Sequence, residues 1–143
     1  IDMNSIKFCS DEMINQYKKI NVISDHIHSK ILELKEHNET SNNDELNING
    51  RSLTNIGTYR SYIKGYLKNN INIHKDMTFL VRQLSSTDKG LPIEIYVFTN
   101  TTDWIDYEEI QSDIFDHLIA SLAQFDLKVF QNPSGNDISN FKM

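Results

Sequence analysis

MTFLVRQLSSTDKGLPIEIYVFTN, Met77 to Asn100, holds two runs rich in branched and aromatic residues, Met77 to Leu84 and Leu91 to Thr99. Between them lies Ser85-Ser86-Thr87-Asp88-Lys89-Gly90, small polar residues ending in glycine. That is hairpin chemistry between two β-prone runs, so the strands pair antiparallel. In the second run Ile93, Ile95 and Val97 share one face, and Glu94, Tyr96 and Phe98 the other. One side of the sheet is therefore covered by helix, and the other is partly aromatic.

On the C-terminal side, Asp103 is placed to cap a helix from Trp104 to Leu122, with Tyr107, Ile110, Ile114, Leu118 and Leu122 on one stripe. Phe125 to Phe130 reads as a last strand, stopped by Asn132-Pro133-Ser134-Gly135, and 132–143 as a frayed tail. On the N-terminal side, Tyr59, Tyr62, Ile63, Tyr66 and Leu67 fall at helical spacing after Thr54-Asn55, and the helix ends at Asn69-Asn70. Three tyrosines on one stripe fit a core with anchored hydroxyls better than a ligand-stacking site.

Further upstream, HNETSNNDELNING (37–50) is almost wholly polar and reads as a surface excursion. Before it, Met13, Tyr17, Ile20, Ile27, Ile31 and Leu34 keep to one helical stripe, capped by Ser10, interrupted over Asn21 to Ser24 and resuming at Asp25. Ile6 and Phe8 alternate with Ser5 and Lys7, which predicts a short strand over Asn4 to Cys9. The order strand, helix, strand, strand, helix, strand is that of a ferredoxin-like βαββαβ sandwich, class α+β, with helices on one face of an antiparallel sheet. An extra helix and the polar loop enlarge it between strands one and two.

A chain of 143 residues with 38% apolar and 24% charged residues suits one domain with one core. The net charge of −6, spread along the chain, argues against nucleic acid and anionic lipid as partners. Cys9 is the single cysteine, which excludes an intramolecular disulfide and a thiolate zinc set. A buried structural thiol is the plain reading of it. No apolar run approaches the roughly 18–20 residues that cross hydrocarbon. The chain starts at Ile1 in strand-like sequence, which fits a piece of a longer protein.

Motifs for chemistry are sparse. There is no P-loop, no Gly-x-Gly-x-x-Gly and no His-Glu-x-x-His, and the glycines at 50, 57, 65, 90 and 135 are scattered. Asp113 and His117, four apart on a helix, are the best candidates for metal or acid–base work, but a catalytic metal needs about three ligands. We therefore expect no catalytic residue, metal or cofactor. Glu108, Glu109, Asp113 and Asp116 fit a solvated helix face. An RNA-recognition fold shares the strand order, but Leu91 and Ile93 stand where its stacking aromatics belong.

The blocks RSLTNIGTYRSYIKGYL (Arg51 to Leu67), MTFLVRQL, GLPIEIYVFTN (Gly90 to Asn100), YEEIQSDIFDHLIA (Tyr107 to Ala120) and LKVFQNPSG (Leu127 to Gly135) resemble the C-terminal region of small-conductance mechanosensitive channels. The likeness is greatest to the YbdG-like miniconductance branch. The resemblance implies a non-enzymatic domain of the cytoplasmic vestibule below a tension-gated pore, acting in hypoosmotic shock. It implies a bacterial inner-membrane parent whose upstream helices alone meet the bilayer, and self-association as a heptamer in the full-length channel. The isolated piece is compatible with a monomer or a dimer. Thr54, Asn55, Gly57, Arg60, Arg82, Gln83, Asp113, Asp116 and His117, polar or special positions in apolar blocks, are the candidates for a buried polar network or a subunit contact. A ferredoxin-like small-molecule sensor domain is the alternative.

Overall fold

The computed structural model describes residues 1–40 and 52–141. The hairpin forms where alternation places it, but shorter. Strands β1 (Leu80–Gln83) and β2 (Ile93–Tyr96) pair antiparallel, with Val81 opposite Ile95 and Arg82 opposite Glu94. Single contacts extend the ladder: Leu84 N–H donates to the Pro92 carbonyl at 3.0 Å, and His74 N–H to the Phe98 carbonyl at 2.7 Å.

Among the described residues five α-helices accompany the hairpin: α1 (Asp11–Tyr17), α2 (Ser24–Thr40), α3 (Asn55–Lys68), α4 (Trp104–Ser121) and α5 (Gly135–Ser139). Their starts follow the capping residues. Thr54 Oγ1 accepts the Gly57 N–H at 3.1 Å and Asp103 Oδ1 the Asp106 N–H at 3.0 Å, each satisfying an orphan donor of the first turn. The break between α1 and α2 opens earlier than Asn21, directly after Tyr17, and the helix resumes at Ser24, one residue before the expected Asp25. The polar excursion begins later than expected, because His37 to Thr40 still belong to α2; the remainder, 41–50, lies outside the described residues.

The mixture of helices and one small antiparallel sheet is α+β, but two of the four expected strands are absent as strands. Over Asn4 to Cys9 the chain makes a 3-10 turn, Met3–Ser5, and then a single bridge from Phe8 to Thr54. The backbone there is already engaged: Lys7 N–H donates to Asn55 Oδ1 at 3.0 Å and Cys9 N–H to the Leu53 carbonyl at 2.8 Å. Over Phe125 to Phe130, Phe125 closes a 3-10 turn (Leu122–Phe125) and Asp126 takes a left-handed conformation, φ 54°. Phe125 and Leu127 are both buried, as residues two apart in a strand would be, but the left-handed Asp126 between them breaks the extended backbone that a strand requires. Within the expected tail, Gly135–Ser139 is helical. Ser134 and Asp137 form a reciprocal capping box at the start of α5, with Ser134 N–H to Asp137 Oδ2 at 2.7 Å.

Extended segments still flank the hairpin. Leu91 N–H donates to the Ile1 carbonyl at 2.8 Å, the Ile1 nitrogen returns a bond to the Leu91 carbonyl at 2.8 Å, and Asp2 N–H donates to the Lys128 carbonyl at 2.8 Å. Gly90 makes this approach possible. Its φ is +92°, and a Cβ there would sit 2.3 Å from the Ile1 carbonyl oxygen. Gly90→Ala should therefore cost on the order of 2 kcal/mol. In hydrogen exchange, the Leu91 amide should lose protection while Val81 and Ile95 keep theirs.

The core lies under α3, against the hairpin and α4, and is built from Ile56, Tyr59, Ile63 and Leu67 of α3 with Val81, Ile114, Leu118 and Phe125. Ile23 and Ile27 bring the start of α2 onto it. All are apolar at the spacing their elements require.

Candidate functional site

The sequence-predicted positions fall into three places. The first is the start of α3. Asn55 is 0% exposed. Its Oδ1 accepts the Lys7 N–H at 3.0 Å, and its Nδ2 donates to the carbonyls of Ser5 at 2.9 Å and Phe125 at 3.0 Å. One side chain thus ties the N-terminal segment to the end of α4 through helix α3. Thr54 caps the helix, and at Gly57 a Cβ would lie 3.0 Å from the Thr54 Oγ1 that does so.

The second place is the α3–β1 seam and the outer face of the hairpin. Arg60 Nη1 donates to Gln83 Oε1 at 2.5 Å. Arg82 and Glu94, facing residues in the ladder, form an ion pair at 2.9 Å. Arg82 is exposed and Glu94 half-buried, so water screens the pair from one side and it is worth about 1 kcal/mol or less.

The third place joins α3 to α4. His117 stacks on Tyr66 with centroids 4.2 Å apart and planes within 5°, and its Nε2 lies 2.5 Å from the Tyr62 hydroxyl. Asp113 and Asp116, both exposed, lie on α4 within about one turn of His117. The three places are not one network. An aromatic chain connects the first to the third: Phe125, whose carbonyl Asn55 holds, lies 5.2 Å from Tyr59 and 5.3 Å from Tyr62, and Tyr62 lies 6.3 Å from Tyr66.

A family model described as mechanosensitive ion channel MscS, C-terminal, matches residues 1–129. The chain belongs to that family. No solved structure matches it. The family is one of channel domains and not of enzymes, and the match ends before α5.

The titratable groups of this MscS C-terminal domain read as structural. Burial pushes the Tyr17 and Tyr59 hydroxyls far above the usual phenol range, and Tyr59 donates its proton to the Leu118 carbonyl at 2.6 Å. Burial also raises the Cys9 thiol, the opposite of what a reactive thiolate needs. Among the described residues no three His, Cys, Asp or Glu side chains cluster as metal ligands, and no helix is long and apolar enough to cross a membrane.

The raised phenols set a pH dependence. Because the fold holds them neutral, their contribution is complete below the unfolded tyrosine value of about 10 and is lost as pH rises above it. Urea midpoints should hold near neutrality and fall above about pH 10, as the tyrosinate absorbance rises. Tyr17→Phe should flatten the fall.

Proposed function

We propose that this MscS C-terminal domain is a wall segment of the cytoplasmic vestibule beneath a tension-gated pore, with no catalysis of its own. The observation that carries the reading is the family match over residues 1–129. We assign it to the YbdG-like miniconductance branch on the blocks from Arg51 to Gly135, with copies arranged as a heptamer on the cytoplasmic side of a bacterial inner membrane. The parent's role is release of solutes in hypoosmotic shock.

A ferredoxin-like plan for the domain draws support from the hydrogen bonds of its extended segments. Lys128 neighbours Asp2, Ile1 neighbours Leu91, and β2 neighbours β1. Last, first, third, second is the neighbour order of a split βαβ arrangement. The sensor reading has one feature in its favour, a hollow of about 330 Å³ between Ile93, Ile95 and Val97 of the sheet and Ile110, Ile114 and Phe115 of α4. That volume is at the low end for ligand pockets, roughly 300–1,000 Å³.

The protein that carries this domain should protect cells lacking their own mechanosensitive channels from a sudden hypoosmotic downshift. Survival no better than that of cells with an empty vector, at normal protein levels, would remove the reading.

A further inference from the structure

The net charge of −6 hides a segregation of charge by helix. Arg60, Lys64 and Lys68 recur every fourth residue along α3, and residues at that spacing share one face. Lys64 and Lys68 join Lys75 and Phe79 around a hollow of about 510 Å³ that has no carboxylate among its lining residues. The local field is positive enough to act on a neighbour: His26 is held below its usual range by burial first, then by Lys30 and Lys64. Tyr62 and Tyr66, two residues away from Lys64 and Lys68, project about 200° from them and fill the seam toward α4. The basic edge therefore faces away from its own α4.

On α4 the arrangement is the reverse. Asp106, Glu109, Asp113 and Asp116 follow one edge, and Glu109 and Asp113 share a hollow of about 470 Å³ with Trp104, Ile105, Glu108 and Ser112. Trp104 is 73% exposed and Ile105 66%, large apolar groups that a monomer leaves in water. The Trp104 indole N–H donates to Glu108 Oε1 at 3.2 Å, which steadies the ring beside the carboxylates. An aromatic face among carboxylates is the chemistry that receives an ammonium or a guanidinium. The dimensions agree as well: at 1.5 Å per residue the cations span about 12 Å and the carboxylates about 15 Å.

We propose that the basic edge of α3 in one copy docks into the Trp104–Asp113 hollow on α4 of the next, as the head-to-tail contact of the ring. The proposal rests on the vestibule reading and names its contact surface. Two different complementary patches on one chain make a heterologous contact, the type that closes into rings.

Two charge reversals test it, Lys64→Glu with Lys68→Glu, and Glu109→Lys with Asp113→Lys. Self-association is measured by sedimentation equilibrium at low and raised salt. The unaltered chain should associate, less strongly as salt rises, and each reversed pair should weaken association about tenfold or more. Two results should then restore it: an equimolar mixture of the two variants, and the chain carrying all four substitutions. Misfolding cannot produce that recovery. An unaltered chain that stays monomeric, reversals without effect, or no recovery in the mixture and the fourfold variant would each overturn the contact. Protection from downshift is read separately, so an interface that fails in cells that still survive leaves the vestibule reading standing.

Discussion

Asn55→Leu is expected to destabilise the domain by about 3 kcal/mol, although leucine fills nearly the same volume. The side chain is fully buried and makes hydrogen bonds to Lys7, Ser5 and Phe125, which are remote from it in sequence except through the fold. Leucine would leave the Lys7 N–H and two carbonyls without their partner. Each such group costs about 1–3 kcal/mol when water cannot replace the bond. Lys7 and Ser5 lie near the surface and recover part of the loss, whereas the Phe125 carbonyl is buried and does not. Urea unfolding gives the magnitude, and faster exchange at the Lys7 amide would identify the cause. Asn55→Asp should be no better tolerated, because it keeps the acceptor, loses both donors and sets a carboxylate against two carbonyls.

Phe125→Ala should cost about 4 kcal/mol and lower the thermal midpoint by roughly 15 °C. The ring is 1% exposed and touches Tyr17 at 5.3 Å as well as Tyr59 and Tyr62. It is the point where α1, α3 and the end of α4 meet, so alanine leaves a cavity that three rigid tyrosines cannot collapse to fill. Differential scanning calorimetry measures the loss. Phe125→Leu, which fills most of the space, should lose about 1–2 kcal/mol.

The parts of the fold with a strong local period were readable in advance. The hairpin, α3 and α4 have their patterns and caps within a few residues of one another, so the chain's own spacing specifies them. The Asn4–Cys9 strand did not follow its pattern. Ile6 and Phe8 do alternate, but the partner for the Lys7 amide is a side chain 48 residues away, which no local period reports. The final strand gave way because the chain leaves α4 through a 3-10 turn capped by a left-handed Asp126, although Phe125 and Leu127 are both buried as the alternation expects. The helix at 135–139 has a Ser134–Asp137 capping box in its residues, but it is only five residues long and carries no apolar stripe. At the site, Asn55 was legible as an unusual polar residue in an apolar block, and its role as a clamp was not. His117 was paired with Asp113 on its own helix, yet its ring stacks on Tyr66 of another. The basic edge of α3 is hidden in the net charge of −6, which averages over helices of opposite sign.

The most direct measurement is a patch recording from membranes of cells without native mechanosensitive channels, containing the protein that carries this domain. We predict a conductance that opens as suction rises and is lost with Asn55→Leu. A membrane that holds the protein and yet stays silent at tensions up to rupture would contradict the account.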